Sequence, residues 1–288
     1  MRGAGLVLVL ALAACGEAPV APEKAAPEKP LGPNVKLYAI DCGRIHVKDA
    51  SKFSDTHDYD GQARDLADPC YLIRHPNGKD LIWDTGIPPA LALARPDPKA
   101  AATYKLEWPL ERQLGELGLT PADVDFIAIS HSHYDHLGSA KLFADSAWIT
   151  SKAERDWMFR PEARQAANFG DYEILESART LQIENGKPYD VFRDGTVFIF
   201  QAPGHTPGHQ VLLVKTAKSG NILLTGDMWH LAEAREKRTV PTGNVDKAQT
   251  LASMDKVEAL AREQKARVIR QHVPEDFDAL PKFPAAFE

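Results

Sequence analysis

The sequence lacks an excess of basic charge, a long apolar run and any internal repeat. Its 34 Lys and Arg residues are outnumbered by 40 Asp and Glu residues, so the formal net charge is −6 and nothing predicts binding to nucleic acid. The N-terminal apolar run, Leu6–Ala14, is too short to cross a bilayer as a stable helix. With 44% hydrophobic and 26% charged residues, the composition is that of an ordinary globular protein rather than a disordered one.

The first fifteen residues differ from the rest of the chain. Arg2, a short apolar core and small residues are typical of a secretory signal. The end of this segment, Leu12–Cys15, resembles a bacterial lipobox. That resemblance implies lipidation of Cys15, a lipid anchor in the membrane, and a place at the periplasmic face of a bacterial membrane. The alternative is a plain signal peptide with an incidental cysteine.

Composition divides the chain into three parts. Residues 1–15 are predicted to be a lipoprotein signal peptide. Residues 16–35 are rich in Pro, Ala and Glu and cannot bury enough surface to offset the entropy of ordering, which predicts an extended tether. Residues 36–288 are predicted to form the folded catalytic domain. Its two cysteines, Cys42 and Cys70, form one disulfide in an oxidising compartment or remain buried free thiols.

Short apolar runs alternate with amphipathic ones in the folded part. Strands are predicted at Lys36–Ile40, Tyr71–Arg74 and Leu81–Trp83. The polar segment Gly43–Pro69 between the first two is predicted to be a long loop. Strands mixed with helices predict an α/β sandwich with helices on the outside. The predicted helices are Pro109–Leu117, Ser151–Arg160 and Lys247–Lys265.

Four further apolar strands each lead into a residue that can bind a metal ion. If the strand ends lie along one edge of the sheets, these side chains converge on a packed scaffold, as a catalytic site requires. The strands and the residues that follow them are Phe126–Ile129 with His131, Val197–Phe200 with His205, Ile222–Leu224 with Asp227, and Val268–Ile269 with His272.

The segment His131–His136 holds three imidazoles and one carboxylate within six residues. Alternate residues of an extended segment point the same way, so His131 and His133 can hold one ion together. Asp135 and His136 follow where the chain turns and can face a second ion. Imidazole and carboxylate ligands suit zinc, and also iron, manganese or cobalt.

Together with Gly204–His209 and Gly226-Asp227, this segment resembles the metallo-β-lactamase superfamily. The resemblance implies an αββα sandwich with two divalent metal ions, zinc above all, at one edge. Carried over residue by residue, it implies that the first metal is held by His131, His133 and His205, the second by Asp135, His136 and His272, and that Asp227 bridges both.

The remaining histidines and one aspartate have supporting roles or none. The resemblance makes Asp84 a residue that orients a ligand histidine, and a simple turn aspartate is the alternative. His209 is predicted to be structural or supporting rather than a ligand. His46, His57 and His75 are predicted to be surface histidines.

Within the superfamily, the segments Cys70–Pro76, Leu81–Gly86 and Ala202–Gln210 are most similar to the N-acyl-homoserine lactonases. That likeness implies a small-molecule hydrolase that opens a lactone ring by attack of a metal-bridging hydroxide, which is quorum quenching. Asp227 would hold the metals together, and Asp135 would carry the proton to the leaving oxygen.

One departure concerns the substrate. These lactonases place a tyrosine just after the bridging aspartate, whereas this chain has Met228-Trp229-His230 there. His230 either donates a hydrogen bond in place of the phenol or is a bystander.

Three other functions compete with the lactonase. A β-lactamase, or another ester or thioester hydrolase, would use the same site, but no cationic residue for a substrate carboxylate can be placed from the sequence. A mononuclear dioxygenase is disfavoured by the full set of seven ligands. A binding protein with an inactive site is disfavoured because no ligand is missing.

Overall fold

Two β-sheets pack face to face in the computed structural model, which describes Met1, residues 34–95 and residues 97–288. Apart from Met1, the predicted signal peptide and its lipobox lie outside the described residues, as does the tether up to residue 33. Val35 is already fully buried in the core.

The first sheet has seven strands in the order β4-β1-β2-β3-β5-β6-β7. Strands β1 to β4 pair antiparallel where they are neighbours, and the pairs β3–β5, β5–β6 and β6–β7 are parallel. The strands are β1 (Lys36–Val47), β2 (Arg64–Arg74), β3 (Asp80–Trp83), β4 (Ala102–Lys105), β5 (Phe126–Ala128), β6 (Ala147–Ser151) and β7 (Thr180–Ile183).

The second sheet has five strands in the order β12-β11-β10-β9-β8. The pair β11–β12 is parallel, and the other neighbouring pairs are antiparallel. The strands are β8 (Tyr189–Asp190), β9 (Val197–Gln201), β10 (Gln210–Lys215), β11 (Asn221–Leu224) and β12 (Arg267–Ile269).

Within the described residues, seven α-helices lie between the strands or after the last one, together with several short 3-10 turns. No helix in the described part of the chain is long and apolar enough to cross a membrane. The helices are α1 (Pro89–Leu93), α2 (Leu110–Glu116), α3 (Tyr134–Leu137), α4 (Lys152–Met158), α5 (Ala234–Lys237), α6 (Lys247–Glu263) and α7 (Pro274–Asp278).

Alternation along the strands builds the layers. In β10, Leu212 and Val214 face the core between the two sheets, whereas Val211 and Leu213 face the opposite way, into a second cluster that contains Met254 of α6. The outer face of the first sheet forms a third cluster with helix α2. Because successive side chains of a strand point to opposite faces, each sheet is covered on both sides. The predicted αββα sandwich is thereby confirmed.

The predicted loop Gly43–Pro69 is confirmed in its middle and wrong at both ends. Strand β1 continues to Val47 and β2 begins at Arg64, so only residues 48–63 connect the two strands. The polar residues that suggested a loop are accommodated at the surface of the hairpin, where the imidazole of His46 lies 2.7 Å from the carboxylate of Asp65.

Cys42 and Cys70 form a disulfide between β1 and β2. Their Cα atoms are 5.6 Å apart, which is within the range that a disulfide requires. Of the two alternatives left open by the sequence, the structure therefore shows the disulfide.

Candidate metal centre

The seven residues predicted as metal ligands meet at one edge of the sandwich. Strands β9, β11 and β12 run in the same direction, so the segments that follow them lie at one edge of the second sheet. The segment after β5 of the first sheet meets them there. All of these side chains are buried except that of His133, which is half-buried. They are His131, His133, Asp135, His136, His205, Asp227 and His272.

Three imidazoles and one carboxylate oxygen form the first group. Nδ1 of His133 lies 2.9 Å from Nε2 of His131 and 3.1 Å from Nε2 of His205. Oδ2 of Asp227 lies 3.3 Å from the same nitrogen of His131 and 3.2 Å from that of His205. Four donor atoms thus surround one small volume.

The other oxygen of Asp227 faces the second group. Its Oδ1 lies 3.0 Å from Nε2 of His272 and 3.2 Å from Nε2 of His136. Oδ2 of Asp135 completes this group, 3.8 Å from Nε2 of His272. The two carboxylate oxygens of Asp227 therefore point to different groups, which is the arrangement expected of a bridging ligand.

The donor sets fit divalent metal ions. Ligand atoms bound to one zinc ion at about 2.1 Å lie roughly 3.4 Å apart in a tetrahedral site, and most separations here are close to that. Among the described residues, Nε2 of His136 and Oδ1 of Asp227 are buried and make no hydrogen bond, although they are 3.2 Å apart. Metal ligation would give both atoms the partner that buried polar atoms need.

Asp84 orients the second group. Its Oδ2 lies 2.9 Å from Nδ1 of His136, and its Oδ1 accepts a hydrogen bond from the backbone N–H of Ser130 at 2.6 Å. The side chain is fully buried and its backbone has a φ of 57°. Of the two roles left open for Asp84, the structure thus favours orientation of a ligand histidine over a simple turn.

Two more ligand histidines are held through the ring nitrogen that faces away from the centre. Nδ1 of His205 lies 2.6 Å from Oδ1 of Asn244, and Nδ1 of His272 lies 2.9 Å from the carbonyl oxygen of Ala67. These contacts leave Nε2 of each ring to face the metal groups. Asn244 was not identified from the sequence, because an isolated asparagine in a loop carries no motif.

His209 lies beneath the centre rather than in it. Its Nδ1 lies 3.1 Å from the carbonyl oxygen of Ala202, and its Nε2 accepts a hydrogen bond from the backbone N–H of Asp227. Burial lowers the pKa of His209 to about 3, so the neutral ring has the acceptor that this bond needs. This position agrees with the predicted supporting role.

The charges of the site are arranged around Asp227. Burial alone would raise the pKa of Asp227, but the surrounding imidazoles, with His272 and His230 first, hold it well below its usual range. Burial acts to lower the pKa of His272, but the charge of Asp227 outweighs it and raises the value to about 9. Asp227 is therefore an ionised carboxylate at neutral pH, and its negative charge attracts cations.

Two histidines of the first group, His131 and His133, are neutral. Burial, followed by the repulsion from His205, lowers the pKa of His133 to about 3. Burial and the neighbouring His136 hold the pKa of His131 well below its usual range. Neutral imidazole is the form that binds metal, so these ligands are ready at pH 7 without losing a proton.

A cavity of about 280 Å³ opens above the centre. Its polar floor includes His133, Asp135, His205, Asp227 and His272. The same cavity has an apolar wall. It is formed by Ile45, Val47, Phe53 and Leu66.

His230 lies at the boundary between floor and wall. Its Nε2 is 3.0 Å from Oδ2 of Asp227, and its ring lies 5.0 Å from the ring of Phe53. Burial lowers the pKa of His230 to about 4, so the ring is neutral at pH 7. His230, predicted to be either a substrate contact or a bystander, thus lines the cavity next to Asp227.

The cavity also contains a cation that the sequence did not place. Lys52 lines its mouth, and the ammonium nitrogen lies 4.9 Å from the centre of the Phe53 ring. Lys52 precedes a single buried phenylalanine in the segment predicted as an open loop, so no pattern connected it with the metal ligands.

The three histidines predicted to be at the surface differ from one another. His46 and His57 are exposed and lie beside Asp65 and Asp60, as expected of surface residues. His75 is buried, so that prediction is wrong: its Nε2 lies 2.8 Å from Asp194. The partner is distant in sequence, and nothing near His75 indicated it.

The fold and the site together define a class of protein, an αββα sandwich with a histidine–aspartate metal centre at one edge. The sequence model of the metallo-beta-lactamase superfamily matches residues 64–272. The chain belongs to this superfamily, as its motifs predicted.

Curated relatives resemble nearly the whole chain. The N-acyl homoserine lactonase AttM of Azorhizobium caulinodans is 27% identical over 267 residues, which are 88% of this chain and 99% of the relative. The N-acyl homoserine lactonase AttM of Rhizobium radiobacter is 29% identical over 265 residues, which are 87% of this chain and 98% of the relative.

A solved structure with a similar fold carries a ligand. It is an N-acyl homoserine lactone hydrolase with the product N-hexanoyl-L-homoserine bound at the catalytic metal centre. It superposes with a TM-score of 0.72 at 26% identity, covering 88% of this chain and 98% of that chain.

Proposed function

We propose that this protein is a metal-dependent hydrolase that opens the lactone ring of N-acyl homoserine lactones. The observation that carries the proposal is a complete set of seven ligands on the floor of a cavity with an apolar wall. The full-length likeness to lactonases supports the same activity.

The cavity suits an amphiphilic substrate. The apolar side chains of Ile45, Val47, Phe53 and Leu66 would contact the acyl chain, because their burial by a ligand removes apolar surface from water. The polar floor would receive the lactone ring. A substrate with one apolar and one polar end therefore matches the two surfaces.

Two divalent metal ions, with zinc as the first choice, are part of the proposal. His131, His133 and His205 would hold one, Asp135, His136 and His272 the other, and Asp227 both. When bound, such ions polarise a carbonyl oxygen and lower the pKa of bound water to about 7.

The protein's own side chains would complete the reaction. Asp135 lines the cavity and is almost fully buried, so its carboxylate is placed to take up the proton that the attacking water releases and to pass it to the oxygen that leaves the ring. His230 would hold the substrate's carbonyl oxygen through a ring N–H. Asp227 would supply the fixed negative charge that keeps the ligand set together.

A hydrolysis panel tests the substrate class. N-acyl homoserine lactones of several chain lengths, simple esters and a chromogenic cephalosporin would be compared by product analysis. We expect lactone opening to be fastest. Rapid cephalosporin opening with no action on any homoserine lactone would refute the proposal.

Two variants test the role of His230 in the same panel. His230→Ala should lower the turnover of homoserine lactones, whereas His46→Ala should leave it unchanged because His46 lies at the exposed surface of the hairpin. Equal turnover in both variants would make His230 a bystander.

A β-lactam is the second candidate substrate, because Lys52 lines the cavity. Its ammonium group would pair with the carboxylate that such substrates carry and that a lactone lacks. Lys52→Ala should then impair cephalosporin opening and spare lactone opening. Unchanged cephalosporin kinetics in this variant would remove the support for the second candidate.

Export and lipid anchoring complete the proposal. The lipobox-like Leu12–Cys15 would direct lipidation of Cys15, and the disulfide Cys42–Cys70 suits an oxidising compartment. In a bacterial host, Cys15→Ala should move the protein from the membrane fraction to a soluble or unprocessed form. Equal membrane association of both forms would contradict lipid anchoring.

A further inference from the structure

Two metal-binding loops of the first group meet on one buried carboxylate, that of Glu154. The side chain is 1% exposed and belongs to the first turn of α4. Its Oε1 accepts a hydrogen bond from the backbone N–H of Ser132 at 2.8 Å. Ser132 lies between His131 and His133, so this bond fixes the backbone from which both imidazoles project.

The other oxygen of the same carboxylate holds the second loop. Oε2 of Glu154 accepts hydrogen bonds from the hydroxyl of Thr206 at 2.7 Å and from the backbone N–H of Gly208 at 2.9 Å. Thr206 follows His205, the third imidazole of the first group. One side chain therefore ties together the loops that supply all three histidines.

The second loop is also packed tightly against α4. A Cβ atom at Gly208 would lie 2.3 Å from Oγ of Ser151 and 2.4 Å from the backbone nitrogen of Glu154. Glycine is therefore needed at this position for the loop to approach the carboxylate.

Glu154 has a simpler role in its own helix, which alone would not explain these contacts. Ser151 is the N-cap, and its hydroxyl accepts the backbone N–H of Glu154 at 3.1 Å. In a capping box the glutamate side chain would bond back to the backbone of the cap residue. Here each of its hydrogen bonds goes to one of the metal-binding loops instead.

We propose that Glu154 is a positioning residue that fixes the spacing of His131, His133 and His205. It thereby sets the affinity of this first group of side chains for its metal ion. This inference rests on the proposed metal centre but not on the substrate. Partners of metal ligands change metal affinity by about 10- to 100-fold when they are removed.

Glu154→Gln is the most informative change because it keeps the shape of the side chain. An amide has one acceptor oxygen and one donor NH₂ group. In either orientation, the NH₂ group faces a backbone N–H, either that of Ser132 or that of Gly208, and one loop loses its acceptor. We expect the dissociation constant of one of the two metal ions to rise about 10- to 100-fold.

Metal affinity would be measured by competition with a chelator, together with the visible absorption of the Co²⁺-loaded protein. Thr206→Val should weaken the same ion, and Thr206→Ser, which retains the hydroxyl, should behave as wild type. The double variant Glu154→Gln/Thr206→Val should be less affected than the product of the two single effects, since both remove one network. If Glu154→Gln does not fold, the two Thr206 variants carry the test.

Asp80→Asn is the matched control. Asp80 is also a buried carboxylate, but it pairs with Arg74 and contacts no ligand loop, so this variant should bind both ions normally. Wild-type metal affinity and Co²⁺ absorption in Glu154→Gln and Thr206→Val would overturn the inference. A wild-type protein that binds metal but opens no lactone would refute the proposed substrate and leave this inference standing.

Discussion

Replacing Asp84 by asparagine should weaken metal binding at the second group while leaving the shape of the side chain intact. The carboxylate bonds Ser130 through one oxygen at 2.6 Å and faces Nδ1 of His136 with the other at 2.9 Å. If the amide oxygen of the variant keeps the bond to Ser130, its NH₂ group faces Nδ1. That contact favours the tautomer with the proton on Nε2, the atom that faces Asp227 at 3.2 Å.

A protonated Nε2 cannot bind metal, so the variant must adopt a less favourable tautomer or lose the ligand. We expect about 10- to 100-fold weaker binding of one ion, which corresponds to about 1.4–2.8 kcal/mol. The Co²⁺-loaded protein should show a spectral change different from that of Glu154→Gln, because the two changes affect different groups.

The assay is a two-step metal titration against a competing chelator, followed by elemental analysis after dialysis. Asp80→Asn is the control for the general loss of a buried carboxylate, because Asp80 begins β3 whereas Asp84 follows the end of that strand. Retention of two ions with wild-type affinity in Asp84→Asn would refute this role of Asp84.

The remaining predictions concern the bridge, the disulfide and acid stability. Asp227→Ala should lose nearly all bound metal and activity because both groups use this carboxylate; elemental analysis that still finds two ions would contradict a bridge. Replacing Cys42 and Cys70 by serine should lower the free energy of unfolding by about 3.5 kcal/mol, because the unfolded chain regains the entropy that the closed loop removes; the two cysteines are 28 residues apart. An unchanged denaturation midpoint would contradict a stabilising disulfide. Hydrogen bonding, from the Thr56 hydroxyl first, lowers the pKa of Asp58 from 3.8 to about 2. The stability contributed by Asp58 is therefore present above about pH 4 and lost as the pH falls towards 2. The thermal unfolding temperature of Asp58→Asn should consequently depend less on pH in that window than that of the wild type. Parallel plots of unfolding temperature against pH for the two proteins would exclude this contribution.

Much of the site could be predicted from local sequence because the metal ligands are concentrated at the ends of apolar strands. The segment His131–His136 and the residues after β9, β11 and β12 could be recognised without coordinates, since each joins a periodic pattern to a chemically distinctive side chain. The mixture of strands and helices predicted an α/β sandwich with helices outside, and the resemblance to the superfamily implied the αββα arrangement. The hairpin was predicted too short because the alternation of polar and apolar residues at Arg44–Val47 spans only four residues and is followed by a long polar segment. These four residues nevertheless pair in register with Arg64–Ala67.

Supporting contacts, in contrast, depend on which distant segments become neighbours. Glu154 and Thr206 are 52 residues apart and Asn244 is 39 residues from His205, and no local pattern links such pairs. The same holds for Lys52, which reaches the cavity only because β1 and β2 pair as they do. The amino-acid sequence by itself determined the kinds of ligand and their grouping along the chain, because strand periodicity and metal chemistry are local properties. Only the tertiary structure decided which oxygen of Asp227 serves which group and which side chains hold the histidines in place, because those depend on distances between segments that chain packing alone sets.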